Sequence, residues 1–237
     1  MIYVISDIHG CYDEYIELLK KIKFCDKDEL YVLGDIVDRG PEPIKVLQDM
    51  MLRTNVYPIL GNHDYMALKV LKKLNVEINE GNVDNHLSNE DLLDYLYWIQ
   101  DGGKITIDKF QKLSADDKEE VLEYLQEFSL YEEVMLDGKR YVLAHADIHG
   151  FEDGKCLEDY ELADFLFYRA DYQKMYSQDK NTFIVTGHTP TILVREDGLP
   201  LIYTGNGHIA IDCGCVYGKQ LAAYCLDTES VVYVAKK

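Results

Sequence analysis

Aspartates, histidines and one asparagine recur in five short clusters along this 237-residue chain: Asp7-Ile8-His9-Gly10, Gly34-Asp35-Ile36-Val37-Asp38-Arg39-Gly40, Gly61-Asn62-His63-Asp64, Ala144-His145-Ala146 and Gly187-His188-Thr189-Pro190. Asp7 and His9 stand two apart behind an extended run, so their side chains share a face and offer one hard oxygen and one imidazole nitrogen. Asp35 adds a carboxylate able to bridge two ions, and Asn62, His145 and His188 could complete the ligands of the second. Oxygen and imidazole donors without thiolate select manganese, iron, zinc or a similar borderline ion over copper(I). They suit a catalytic centre with open water positions better than structural zinc. Two such ions, about 3.5 to 4 Å apart, lower the pKa of a shared water and clamp the attacking and leaving oxygens of an in-line displacement. The chemistry is hydrolysis of a phosphoester by metal-activated hydroxide, with no serine or cysteine nucleophile.

His63 adjoins the candidate ligand Asn62, and neighbouring residues usually diverge in direction, so His63 is better placed as the acid that protonates the leaving oxygen. Such an acid contributes about 100- to 10,000-fold if it is held cationic near neutral pH. Asp38 is its natural partner, because a carboxylate bonded to one ring nitrogen orients the imidazole and raises its pKa. Arg39 offers a planar fork of donors to two phosphoryl oxygens, and Arg169, behind the aromatic run Phe165-Leu166-Phe167-Tyr168, is the second candidate clamp.

Each cluster follows a short apolar run, at residues 3–5, 30–33, 56–60, 141–143 and 183–185, which reads as a buried strand. All five therefore lie just past strand ends, the position where open α/β sheets bind ligands. Up to Leu74 the pattern alternates strand, cluster and helix, with apolar residues at helical spacing in Tyr15, Leu18, Leu19 and Ile22 and again in Ile44, Leu47 and Met51. Pro41 suits the first turn of the helix that runs to about Arg53, and Asp64 suits the start of the next. From about 75 to 133 the rhythm gives way to polar and acidic segments. This stretch reads as an inserted cap or substrate wall with a helix at about 115–128 introduced by Ser114. Strands resume near Arg140 and close the chain at about 201–203, 209–212, 221–226 and 231–234.

Forty-three acidic against twenty-four basic side chains give a formal charge of −19, which repels nucleic acid and anionic membrane surfaces. An anionic substrate must be met by metal ions and a few arginines. The six cysteines contain no pair at two-residue spacing and read as small buried apolar residues in a reducing cytoplasm. No apolar run approaches membrane-spanning length. His208 with Cys213 and Cys215 fits no common zinc spacing. His86 and His149 read as solvated or locally hydrogen-bonded, and the nineteen tyrosines as core and rim residues.

Taken in this order, the Asp-x-His-Gly, Gly-Asp-x-Val-Asp-Arg-Gly and Gly-Asn-His-Asp motifs resemble the phosphoprotein phosphatase branch of the calcineurin-like metallophosphoesterases, in its bacterial form. The resemblance covers nearly the whole chain and implies a single domain, 1–237, with a four-layer αββα fold. Two mixed sheets would pack together between helices, with a small mainly helical insert. It implies two divalent ions, manganese first with iron or zinc as alternatives, one on Asp7, His9 and Asp35 and the other on Asp35, Asn62, His145 and His188. The acid pair falls on His63 and Asp38, and the phosphate arginines on Arg39 and Arg169. Trp98, Asp101-Gly102-Gly103 and Thr106 resemble a pattern in the insert of bacterial relatives, and Asp212-Cys213-Gly214-Cys215-Val216-Tyr217-Gly218 resembles their closing strand motif. Two positions depart. Asp147 stands where relatives usually have glycine, crowding the second metal or adding an acceptor beside it, and Cys213 where they often have threonine. The implied activity is that of a serine/threonine protein phosphatase, with dual specificity toward phosphotyrosine left open, acting on a phosphorylated protein or peptide. The alternatives are symmetrical hydrolysis of diadenosine tetraphosphate to two ADP and a catalytically silent phosphate-binding scaffold.

Overall fold

The computed structural model describes residues 1–76 and 87–237, so His86 lies outside the described residues. Strand β1 (Ile2–Ile5), helix α1 (Tyr12–Lys21), β2 (Glu29–Leu33), α2 (Pro43–Met51), β3 (Val56–Ile59) and α3 (Asn62–Leu74) follow the strand, cluster and helix rhythm of the sequence. The insert carries more helix than its polar composition suggested. It holds α4 (Asn89–Trp98), a kinked turn (Ile99–Gly103), α5 (Lys104–Phe110) and α6 (Ala115–Gln126). Ser88 and Ser114 cap α4 and α6 by accepting from Asp91 N and Asp117 N, which satisfies donors the first turn leaves free. The chain then forms β4 (Tyr131–Leu136), β5 (Lys139–Ala144), a short α7 (Leu162–Leu166), β6 (Thr182–Thr186), β7 (Tyr203–Gly205), β8 (His208–Ala210), β9 (Gln220–Cys225) and β10 (Val231–Ala235).

Two five-stranded mixed sheets result, ordered β10-β9-β1-β2-β3 and β4-β5-β6-β8-β7. In the first, β1, β2 and β3 run parallel, β9 runs antiparallel to β1 and β10 antiparallel to β9; in the second, β5, β6 and β8 run parallel between antiparallel edges. Alternation along the strands assigns the layers. Val4, Leu33, Tyr141, Leu143 and Val185 pack between the sheets. Ile5, Leu30 and Val32 face the helices over the first sheet, joined by Val121, Leu122 and Leu125 of α6. Val142, Ala144 and Ile184 face outward from the second sheet onto Phe165 of α7. The insert is therefore not set apart along its whole length: α6 packs on α3 within the main core, and β4 begins at Tyr131, inside the stretch read as insert.

Of the cysteines, Cys11, Cys213, Cys215 and Cys225 are buried as expected, while Cys25 and Cys156 are exposed. No described helix is long and apolar enough to cross a membrane.

Candidate metal centre and active site

The parallel strands deliver their clusters to one end of the molecule, and the loops that receive them are held in unusual backbone conformations. Asp7, His9, Asp35, Asp38, Arg39 and His188 all have left-handed φ, between 43° and 71°. Each such residue costs about 1–3 kcal/mol unless its surroundings enforce it. The enforcement is visible. Asp7 N donates to Gly34 O (3.1 Å), His9 N to Asp35 O (2.8 Å) and Gly10 N to Ile36 O (2.8 Å), tying the first cluster to the second. Asp64 is fully buried and accepts from Ile36 N (3.0 Å), Val37 N (3.2 Å) and Gly61 N (3.1 Å). Beyond starting α3, as its sequence position indicated, it pins the second cluster to the third. Burial pushes its pKa up to about 7, with Asp35 adding to the effect. Gly61 lies so close to Asp35 that a Cβ there would overlap the Asp35 backbone nitrogen.

Asp35 occupies the centre. Its Oδ2 is 3.5 Å from His9 Nε2 and its Oδ1 3.4 Å from His145 Nε2, so one carboxylate faces both groups of donors. Burial alone would raise its pKa, but His145, His63, His9 and His188 hold it well below the usual carboxylate range. His9 Nδ1 donates to Val37 O and His145 Nδ1 to Leu33 O, both at 2.8 Å. These bonds fix the tautomer and leave each Nε2 as a bare lone pair turned into the site. Burial pushes the pKa of His9 down to about 3 and lowers that of His145, so both rings are neutral, the form that ligates metals.

On the second side, His145 Nε2 is 2.9 Å from Asn62 Oδ1 and 3.1 Å from His188 Nδ1, and that nitrogen is 3.1 Å from Asn62 Oδ1. With Nδ1 donating to Leu33 O, the bare Nε2 of His145 faces the Asn62 amide oxygen, lone pair against lone pair, an arrangement that a cation between them would relieve. On the first side, Arg39 Nη1 meets the lone pair of His9 Nε2 at 2.9 Å. Asp7 is buried beside Asp212 and Asp35, and its carboxylate accepts from His188 N at 3.0 and 3.2 Å. Burial, then the charges of Asp212 and Asp35, push the Asp7 pKa well up. Converging carboxylates and neutral imidazoles fit divalent ions. The ligand atoms of Asp35, His145 and His188 lie within 4.8 Å of one another, as do those of His9, Asp35 and His63.

His63 is turned differently from Asn62. Its Nδ1 donates to Asp38 Oδ2 (2.8 Å) and its backbone N to Asp35 Oδ1 (3.0 Å). Burial lowers its pKa, but Asp35 and Asp38 outweigh that, so the net direction is upward. Asp38 is fully buried, and two insert residues complete its bonding: Trp98 Nε1 donates to Oδ2 (2.7 Å) and Thr106 Oγ1 to Oδ1 (2.6 Å). The sequence pattern had marked both residues without giving them a task. Arg39 borders the cavity, with its guanidinium 5.6 Å from the centre of the Tyr217 ring. Arg169 is exposed and lines the same cavity of about 460 Å³, together with Asp35, Asn62, His63, His188 and Lys219. All ten residues singled out from the sequence thus collect at one end of the two sheets.

Asp147 does not turn toward the metal ligands: its carboxylate accepts from the Tyr176 hydroxyl, and its backbone N donates to Tyr168 O (3.3 Å), beside Arg169. Cys213 Sγ accepts a long bond from Thr191 Oγ1 (3.8 Å). His208 is buried, 2.7 Å from Thr186 Oγ1 through Nε2 and stacked on Tyr172, while His149 stacks on Tyr168 with ring centres 3.9 Å apart. Sequence reasoning missed a role for Asp212. It is buried near Asp7, and its Oδ1 accepts from Gly214 N (2.8 Å). Its place in the closing motif was the available signal.

Two mixed sheets thus carry oxygen and imidazole donors at the ends of their parallel strands, an arrangement suited to holding divalent ions. The sequence profile of the calcineurin-like phosphoesterases matches residues 1–212, and the chain belongs to that family. It is 36% identical over 146 residues to a symmetrical bis(5'-nucleosyl)-tetraphosphatase of Buchnera aphidicola subsp. Schizaphis graminum, covering 59% of this chain and 54% of that one. The chain spans about half the length of the curated relatives it matches. Among solved structures it resembles one provisionally assigned as a diadenosine tetraphosphatase, with a TM-score of 0.64 and 20% identity over 100% of this chain and 93% of the other. It also resembles a protein serine/threonine phosphatase of Saccharomyces cerevisiae, with a TM-score of 0.58 and 13% identity over 100% of this chain and 79% of that one. At these identities the structural likenesses speak for the fold.

Proposed function

We propose that the chain hydrolyses the phosphoanhydride chain of a dinucleoside polyphosphate, at a centre where Asp7, His9 and Asp35 hold one divalent ion and Asp35, Asn62, His145 and His188 hold the other. Manganese is the first choice of ion, with iron or zinc as alternatives. Such ions, when bound, activate water and offset the charge of the phosphoryl group. The chain's own residues do the rest. Arg39 and Arg169 orient phosphoryl oxygens, His63 gives its Nε2 proton to the leaving oxygen, and Asp38 holds that imidazole in place through Nδ1. Residues 1–237 act as one domain whose insert supplies the Trp98 and Thr106 bonds to Asp38.

The observation that carries the hydrolase reading is the His63 and Asp38 pair at 2.8 Å, its carboxylate saturated by Trp98 and Thr106 beside the Asp35 ligands. Binding phosphate alone needs no such proton donor, which argues against a silent scaffold. For the substrate, support comes from three cations along one cavity, Arg39, Arg169 and Lys219, and from Ile192, Leu193 and Tyr217 beside them. A chain of phosphates ending in a nucleoside matches that mixture. The names of the curated relatives point the same way, so the dinucleotide moves ahead of the phosphoprotein that led from sequence alone.

A chelator-stripped preparation assayed with and without manganese on diadenosine tetraphosphate, a phosphoserine peptide and p-nitrophenyl phosphate tests this. Metal-dependent release of two ADP at the highest kcat/KM is the expected result. Preference for the peptide would restore the protein phosphatase, and silence on all three despite metal binding would establish the scaffold.

A further inference from the structure

Asp101 sits where a substrate should. It belongs to the kinked turn between α4 and α5, and its half-exposed carboxylate lines the cavity. Oδ1 accepts from Arg39 Nη2 at 2.9 Å, and Oδ2 lies 3.4 Å from His63 Nε2. Those are the two donors that a bound ester would use, Arg39 for a nonbridging phosphoryl oxygen and His63 for the leaving oxygen. One carboxylate therefore spans both positions.

The backbone of this turn is tied to the Arg39 loop. Arg39 Nε donates to Asp101 O (3.3 Å) and Arg39 N to Gly102 O (3.1 Å). Gly102 has φ of 111°, and a Cβ there would press on Arg39 Cγ. Gly103 lies against the Trp98 indole so closely that a Cβ would overlap the ring, and that indole is bonded to Asp38. The backbone that carries Asp101 is thus fixed to the loop that carries Arg39 and Asp38, while its carboxylate is half exposed at the cavity.

We propose that Asp101 is a specificity-determining residue, an internal competitor whose carboxylate takes the phosphoryl position on Arg39 and His63 and sets the affinity of the site for oxyanions. The inference rests on the roles of Arg39 and His63 proposed above. An anion must displace Asp101 to engage Arg39, so each binding event loses one ion pair as it gains another. A single phosphate group, including a released product, suffers most from this exchange. A polyphosphate chain that also reaches Arg169 and Lys219 suffers less.

The test is the affinity of the manganese-loaded protein for tungstate, a tetrahedral oxyanion, measured by calorimetry for the wild type, Asp101→Asn and Asp101→Ala. Loss of a partly exposed ion pair predicts tungstate binding about two- to fivefold tighter in both variants. It also predicts a KM for p-nitrophenyl phosphate lowered by a similar factor. If Asp101 instead served to hold Arg39 in place, both variants would bind tungstate more weakly; that result, or unchanged affinity, overturns the proposal. A tenfold fall in kcat at unchanged tungstate affinity also overturns it, by making Asp101 a partner of His63 in proton transfer. Because the binding arm needs no turnover, a wild-type protein that hydrolyses nothing with metal would refute the hydrolase reading while the sign of the tungstate effect still judges Asp101.

Discussion

Replacing Asp38 by Asn removes one charge and almost no volume, so it isolates what the carboxylate does for His63. The amide oxygen can still accept from His63 Nδ1 and Trp98 Nε1, and the amide nitrogen can face the Thr106 hydroxyl, which has lone pairs to offer. Local packing is therefore retained. What disappears is a buried hydrogen bond between imidazolium and carboxylate, of the charged kind worth about 1.5–3 kcal/mol. That amounts to about a 10- to 150-fold fall in the cationic fraction of His63 once the pH exceeds its pKa. Because Asp35 and Asp38 together raise the His63 pKa, removing one of them lowers it. The acid form, dominant below that pKa, must then be sought at lower pH, and the alkaline limb of kcat moves to lower pH with it. The assay compares kcat against pH for an alkyl phosphate and for p-nitrophenyl phosphate, whose leaving group departs without a proton. The alkyl ester is expected to lose about 10- to 100-fold near neutral pH and the aryl ester far less, with metal content unchanged. Equal losses on both esters, or an alkaline limb that does not move, would refute the assignment of His63 as the acid.

Three further outcomes follow from the same geometry. Asp35→Asn is expected to abolish turnover and reduce bound manganese on both sides of the centre, measured by elemental analysis after dialysis; near-normal turnover would sink the bridging role. Gly61→Ala forces a methyl group into the Asp35 backbone, and a loss of about 1–3 kcal/mol in urea unfolding is expected, together with weaker metal binding. Asp147→Gly removes the acceptor for Tyr176 and loosens the segment that leads to Arg169. A higher KM at nearly constant kcat is therefore expected, and unchanged steady-state kinetics would detach Asp147 from the clamp.

Much of the site could be read in one dimension because each ligand cluster directly follows its own strand. A short apolar run and the polar residues behind it are covalently adjacent, so the strand ends carry Asp7, His9, Asp35, Asn62, His145 and His188 to a common edge once the strands pair. The buried ends of β1, β2, β5 and β6 were legible for the same local reason, as short continuous apolar runs. The insert was not. In α4 the apolar residues Leu92, Leu93, Leu96 and Tyr97 remain largely exposed and only Trp98 is buried, so its periodicity carries little information about which face turns inward. The bonds from Trp98 and Thr106 to Asp38 span 60 and 68 residues, and no local pattern encodes such separations. The same holds for Asp64, which resembles an ordinary helix start until its carboxylate is found beneath the Asp35 loop. Residue types and spacing thus determined which donors this protein brings to its candidate metal centre. Packing of the insert decided how His63 and Asp38 are held and that Asp101 lies across them, because those contacts depend on burial and on long-range approach, which exist only once the sheets and helices have packed.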